Sequence, residues 1–528
     1  MNVLLLYPRF PKTFWSFDRF IELAGLKAFI PPLGIITVAA MLPDSWNIRF
    51  CDRNVASETI DDWEWCDLVI LSAMIAQKAD FHELIHKARR LNKKVAVGGP
   101  YPTSVPGDAL ESGANYLVLD EGELTVPQFL AAIDRGETSG VFRSIEKPDV
   151  KTTPIPRFDL LNLDAYLMLA VQFSRGCPFN CEFCDIISLY GRKSRTKGES
   201  QTLAELQVLY DLGWRGSIFM VDDNFIGNQR NVKRLLRELI PWMQARKYPF
   251  TFWTEASINL AEDPELLDLM AQAGFYGVFL GIETPDQDSL QVTRKYQNTR
   301  HPLVEACRTI TQAGLMIYAG FIIGFDGERS GAGDRIQAFV EATNIPQPML
   351  GVLQAPPNTA LWERLKKENR LIMEPNRSMD FGDQNSLMNF IPTRSTDEIA
   401  QEYLGALWNM FEPKNYLRRC FQHCLDITPN PNLQQSLYFP VGKGARLLMQ
   451  LVWIQGIRRA GTRSQFWRQA WIILTQKRQF FSLYIALCAA GEHFLEYRAL
   501  ARERLTQQLG YDPLEAIPTT DQKIPVNA

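Results

Sequence analysis

Histidine is scarce in this chain: five occur among 528 residues, none before His82 and none between His86 and His301. An excess of one charge is also missing. The 56 Lys and Arg against 59 Asp and Glu leave a net charge of -3, which gives no global basic field for nucleic acid. Met1 and Asn2 run directly into Val3–Leu6, too short a segment and without the cationic start of a secretory signal, so the chain is expected in the cytoplasm. Nine cysteines, an odd number spread thinly, are not a secreted disulfide framework. What is present is ordinary globular composition, 46% hydrophobic and 22% charged, in a chain long enough for about three domains.

Three of the nine cysteines stand close together, Cys177, Cys181 and Cys184, in the run Cys-Pro-Phe-Asn-Cys-Glu-Phe-Cys. A tetrahedral zinc site would need a fourth Cys or His at suitable spacing, and neither occurs elsewhere between His86 and His301. Three thiolates on one loop can hold three irons of a cubane cluster and leave the fourth iron open to a ligand that is not protein. The spacing resembles that of the radical S-adenosylmethionine (SAM) enzymes, in which SAM occupies the open iron of a [4Fe-4S] cluster. Phe183 fits the aromatic that this resemblance places beside adenine, although as a single residue it reads equally well as packing under the loop. A reduced compartment would protect such a cluster.

Residues 1–140 alternate short apolar runs with helical stretches. Val3–Leu6, Ile48–Phe50, Leu68–Leu71, Val95–Val97 and Tyr116–Leu119 read as strands, and Phe81–Leu91 as an amphipathic helix. That pattern is a doubly wound Rossmann-like α/β domain, whose ligands sit beyond the carboxyl ends of the strands. At those ends stand Asp52 and Asn54, Ser72 and Gln77, Gly98 and Gly99, then Glu121 and Gly122. In this order they resemble the cobalamin-binding domain that precedes many radical SAM cores, with the glycines expected to let backbone approach the corrin. With no His before His82, the resemblance implies cobalamin bound without a protein imidazole on cobalt. His82 and His86 share a helix face that reads as solvated. A domain that has lost its ligand and serves packing or regulation is the alternative.

After a linker at residues 141–164, residues 165–380 repeat strand and helix every 30 to 40 residues. Strands are expected at Leu169–Phe173, Ser217–Val221, Phe250–Trp253, Gly277–Ile282, Met316–Ile323 and Leu350–Leu353, making a partial (β/α)6 barrel with its active face at the carboxyl ends. Asp222 and Asp223 follow the second strand, Glu255 the third and Glu283 the fourth, while Gly320 and Gly324 span the end of the fifth. By themselves these carboxylates could be a metal site or an acid/base pair. The radical SAM resemblance instead implies that they grip SAM, the acidic pair near its ammonium, Glu283 at ribose and the glycines along adenine. Glu328 falls one place beyond the usual spacing of that motif, so Gly320 and Gly324 carry the expectation.

The resemblance implies one-electron reduction of SAM to methionine and a 5'-deoxyadenosyl radical, hydrogen abstraction from an unactivated carbon, and methyl delivery from methylcobalamin. Two SAM would be consumed per methylation, and an electron donor such as ferredoxin or flavodoxin is required. The same cofactors serve cyclisation, ring contraction or hydroxylation without methyl transfer, and a sensor binding them without turnover is the reading outside enzymology.

Residues 381–510 read as helical and aromatic, followed by a tail at 511–528 expected to be disordered. Lys443–Arg504 holds eleven Lys or Arg and three Glu. Its apolar runs, Leu447–Ile457 and Gln479–Gly491, fall short of the roughly 20 residues that cross a bilayer. They fit either helices lying on a membrane surface or a helical cap with a solvated cationic face. Cys420 and Cys424, with His423, lack the further ligands of a second metal site. An apolar domain over the barrel mouth would suit a bulky lipophilic substrate. The whole layout resembles the cobalamin-dependent radical SAM subgroup that includes hopanoid C-2 methylases, and the expected function is a C-methyltransferase acting on a hydrophobic small molecule.

Overall fold

Runs of apolar residues with no polar interruption can be strands only where both faces are covered, and the computed structural model, which describes residues 1–372, 386–430, 432 and 443–515, builds two such sheets. The first contains β1 (Asn2–Tyr7), β2 (Asn47–Asp52), β3 (Leu68–Ser72), β4 (Lys94–Gly98), β5 (Tyr116–Val118) and β6 (Gly140–Phe142). All are parallel, in the order β2-β1-β3-β4-β5-β6. Leu4 and Leu6 face a core that includes Phe81, Leu84 and Ile85 of helix Lys78–Arg90. Val3 and Leu5 point the other way, into a core continuous with the rest of the molecule.

The second sheet contains β7 (Met168–Val171), then, after the short β8 (Ser174–Arg175) and β9 (Arg195–Thr196), β10 (Ser217–Met220), β11 (Thr251–Ala256), β12 (Phe275–Glu283), β13 (Met316–Ile323) and β14 (Gln347–Val352). Its order is β7-β10-β11-β12-β13-β14, all parallel, an open six-stranded barrel. β8 and β9 pair antiparallel as a separate hairpin that brackets the cysteine loop.

The amino-terminal end of the barrel is closed from two sides. Residues 14–29 bring Phe14, Trp15, Phe17 and Phe29 beneath it, with Trp15 edge-on to Phe279 at 5.2 Å. Helix Phe481–Leu509 lies alongside, and Phe494 stacks on Phe14 at 4.7 Å. Burying a Phe such as Phe14, with no exposed surface, stabilises the fold by roughly 1.5–3 kcal/mol. A cap over the mouth, expected from the sequence, is therefore corrected for this helix: Leu483 and Leu487 border a small space beside Met168, Ser217 and Met316, at the strands' amino ends. Segment Ser386–Arg394 does reach the carboxyl end, where Asn389 exchanges hydrogen bonds of 2.9 Å with Ala355. The expected boundary near residue 380 and the tail beyond residue 515 lie outside the described residues.

Candidate functional site

The cysteine loop leaves β8 through Gly176, whose φ of +88° and whose missing Cβ, which would stand 2.6 Å from the Lys193 carbonyl oxygen, admit only glycine. Its amide donates to the Asp223 carboxylate at 2.7 Å. Cys181 is buried and Cys177 and Cys184 are half-buried. Donors converge on the sulfurs. The Asn224 amide nitrogen lies 3.7 Å from Cys177 Sγ and that of Gln297 lies 3.6 Å from Cys181 Sγ. The Lys295 ammonium stands 5.9 Å from the centre of the Phe183 ring. Burial pushes the Cys177 and Cys184 thiols up, and at Cys177 the Asn224 amide and the Lys295 charge offset part of that cost by favouring the thiolate. The set is three soft ligands with donors aimed at sulfur. Among the described residues no three His, Cys, Asp or Glu converge on a single ion. A cubane asks for something else, one sulfur per iron at separate corners, and the loop fits it.

The carboxylates at the strand ends divide into several kinds. Asp222 accepts from the Phe173 amide at 3.2 Å and from the Ser174 amide, so both its oxygens are engaged in holding the β7–β8 turn. Burial lifts Asp222 to about 7 and Asp223 to about 6. Glu255 lies on the same face of β11 as Trp253, inside the bore. No hydrogen bond or ion pair engages it among the described residues. Burial, then the charges of Asp223 and Asp222, raise it to about 8. Glu283 sits at a bulge with φ +64° and pairs with Lys295. On β13, a Cβ at Gly320 would meet the Phe279 ring at 2.8 Å. Gly324, at φ +103°, donates its amide to Glu328 at 2.9 Å. Glu328 in turn is tied to Arg394 at 2.9 Å, a strut toward helix Thr396–Met410.

Between the carboxyl ends of the first sheet and the barrel edge lies a cavity of about 470 Å³. Ser72, Gly98, Gly99, Glu121 and Gly122 line it from one side, and Ala170, Gln172, Arg175 and Phe219 from the other. No histidine is among its lining residues. Gly34 also lines it, and a Cβ there would meet nothing within 4 Å. Backbone at that point faces open space, a cradle suited to a large flat ligand. The reason expected for two other glycines changes. A Cβ at Gly98 would strike the Val118 carbonyl oxygen at 2.7 Å, and one at Gly99 (φ +93°) the Ser72 hydroxyl at 2.6 Å. Packing between loops already requires them before any ligand binds.

Asp52, Asn54 and Gln77, expected at the corrin, are not among the residues that line the cavity. Asp52 accepts from the Tyr166 hydroxyl at 2.9 Å and from the Asn54 side chain at 2.7 Å. Asn54 and Gln77 both donate to the Pro8 carbonyl, and Asn54 also accepts from the Phe10 amide. Together they hold the β1 exit. One other expected residue also differs. His82 is bonded to Tyr101 at 2.9 Å and to Ser112 rather than solvated. Cys420, Cys424 and His423 are buried in the helical core.

The sequence reading missed the arginines of the β8–β9 hairpin. Arg175 reaches Glu121 at 3.0 Å and Glu123 at 2.9 Å, and Arg195 reaches Glu121 at 2.8 Å. Burial works against the Arg175 charge, but Glu123 and Glu121 more than offset it. The cysteine loop is thereby clamped to the cavity wall. Position was the available signal for Arg175, a cation two places before Cys177. Lys295, Gln297 and Gly34 had none.

Family models match three stretches: a B12 binding domain over residues 23–130, the Radical SAM superfamily over 171–331, and a domain of unknown function, DUF4070, over 359–507. An uncharacterized methyltransferase of Synechocystis sp. is 53% identical over 96% of this chain and 94% of its own length. The hopanoid C-2 methylase of Rhodopseudomonas palustris is 33% identical over 89% of this chain and 88% of its own. Among solved structures, the cobalamin-dependent S-adenosylmethionine radical enzyme OxsB, with aqua-cobalamin and S-adenosylmethionine bound, shares the fold at a TM-score of 0.59. The match has 17% identity and covers 97% of this chain and 82% of that one. With full-length relatives at this identity and the cysteine loop set against the cavity, the chain belongs to the cobalamin-binding radical SAM family, enzymes that use a [4Fe-4S] cluster, SAM and cobalamin.

Proposed function

We propose that this enzyme is a C-methyltransferase that methylates an unactivated carbon of a hydrophobic small molecule, with a hopanoid lipid as the leading candidate. The observation that carries this reading is the run of aromatic rings from the cavity wall into the barrel. Phe219 lines the cavity and packs on Trp253 at 4.3 Å, Trp253 packs on Tyr318 at 4.9 Å, and Trp15 closes the far end. Such walls exclude water and favour a large apolar guest. The hopanoid assignment is supported by the Rhodopseudomonas palustris relative, whose name states that substrate.

The working division is a sheet domain ending near residue 142, a barrel from about residue 165, and a helical region after it. When bound, the three cofactors supply the one-electron chemistry and the methyl group. The chain supplies the rest. Cys177, Cys181 and Cys184 hold the cluster, with Asn224, Gln297 and Lys295 steadying their charge. Phe183, Glu283, Gly320 and Gly324 orient SAM. Ser72, Gly98, Gly99, Gly122 and Gly34 hold cobalamin, and the Arg175–Glu121 clamp fixes the distance between the two sites. Glu255, protonated at neutral pH, can donate a hydrogen bond to a polar group brought into the bore.

The test is anaerobic reconstitution with iron, sulfide and cobalamin, followed by methyl-labelled SAM, reductant and a lipid extract. Labelled lipid is expected. 5'-deoxyadenosine without label in any lipid product would set the methyl-transfer and lipid assignments aside in favour of a reaction that uses the same cofactors otherwise.

A further inference from the structure

The outer face of the C-terminal helices carries large apolar side chains as well as cations. Met449, Trp453 and Ile457 lie along the continuous helical stretch 443–458, and Trp467, Trp471 and Leu474 along helix Arg463–Gln476. All six are exposed, Met449 and Trp471 each at 67% and Trp453 at 59%. The two stripes join where the Trp467 indole N–H donates to the Gly456 carbonyl at 2.9 Å. Single exposed apolar side chains are normal, but six large ones side by side mark a surface that meets something apolar.

Charge says what. Residues 443–491 contain eight Lys or Arg and no Asp or Glu. Arg458, Arg463, Arg468 and Arg478 are exposed, and none has an ion pair among the described residues. Arg459, by contrast, is bound to Glu492 at 2.7 Å. Two copies meeting on this face would set like charges together. Tryptophans that can sit at headgroup depth, ringed by unpaired arginines, match an anionic lipid surface. Among the described residues no helix is long and apolar enough to cross a membrane, so the contact lies in the interface plane.

We propose that helical stretch 443–458 and helix Arg463–Gln476 form a docking surface for an anionic lipid bilayer. Vesicle binding needs no turnover, so this proposal and the methyl-transfer reading fail separately. The purified chain is sedimented with vesicles of phosphatidylcholine alone and with vesicles containing about a third phosphatidylglycerol. Binding to the anionic vesicles is expected, with a blue shift of tryptophan emission. Two independent variants, Trp453→Ser with Trp471→Ser, and Arg463→Gln with Arg468→Gln and Arg478→Gln, should each weaken it roughly tenfold or more. Their melting temperatures should stay unchanged, because every altered side chain is exposed. Ile60→Ser, at an exposed apolar residue on the first domain, should leave binding intact. Three results would overturn the proposal: no sedimentation with anionic vesicles, equal loss in Ile60→Ser, or a dimer seen by light scattering that the tryptophan variant dissolves while vesicle binding persists.

Discussion

At the scale of single residues, the site turns on what burial does to charge. Asp222, Asp223, Glu255 and Glu328 are held at about 7, 6, 8 and 7 by burial, above ordinary values near 4. A carboxyl whose folded pKa is raised binds its proton more tightly when folded. Its favourable contribution is therefore complete below about pH 4 and is lost as pH rises through 6 to 8. The cofactor-free protein should melt at falling temperature over that window. Glu255→Gln, which removes a carboxylate with no partner, should flatten the fall and raise the melting temperature by a few degrees at pH 8; an unchanged pH profile would show that Glu255 is solvated. Cys181→Ala should abolish iron uptake on reconstitution while circular dichroism stays the same. Full iron content in that variant would remove the cluster from this loop. The cysteines were legible in the sequence because ligand spacing on one loop is local. Lys295 and Gln297 were not, because they reach the sulfurs from a segment more than a hundred residues away.

Elements were legible to the extent that they bury both faces. β1, β3, β4 and β7 are apolar runs flanked by turns, and periodicity finds them. β6, three residues opened by Gly140, and the two-residue β8 and β9 are too short for any pattern. That omission hid the hairpin whose arginines bind Glu121. Residues at strand ends were found by position, but position does not say which way a side chain turns. Asp52, Asn54 and Gln77 turn to the β1 exit, whereas Ser72 and Gly122 face the cavity. Gly34 tests the cavity without disturbing the fold. Gly34→Leu places its side chain in open space, so cobalamin affinity should drop at least roughly tenfold with the melting temperature unchanged. Retained affinity, measured by absorbance titration, would place the corrin elsewhere.

At the scale of the whole molecule, three parts share one core. Phe14 and Trp15, early in the chain, close the barrel beside Phe494 near its other end, a long-range contact that composition could suggest only as aromatic richness. The sequence reading therefore found a helical aromatic region but set its last long helix at the wrong end of the barrel. The clamp of Arg175 and Arg195 on Glu121 ties the cysteine loop to the cavity wall, and the proposed methyl transfer belongs between them. The direct measurement is the count of products in anaerobic turnover with methyl-labelled SAM. One 5'-deoxyadenosine and one S-adenosylhomocysteine for each labelled lipid are predicted, because a radical step and a remethylation each consume one SAM. 5'-deoxyadenosine formed without S-adenosylhomocysteine and without labelled lipid would contradict it.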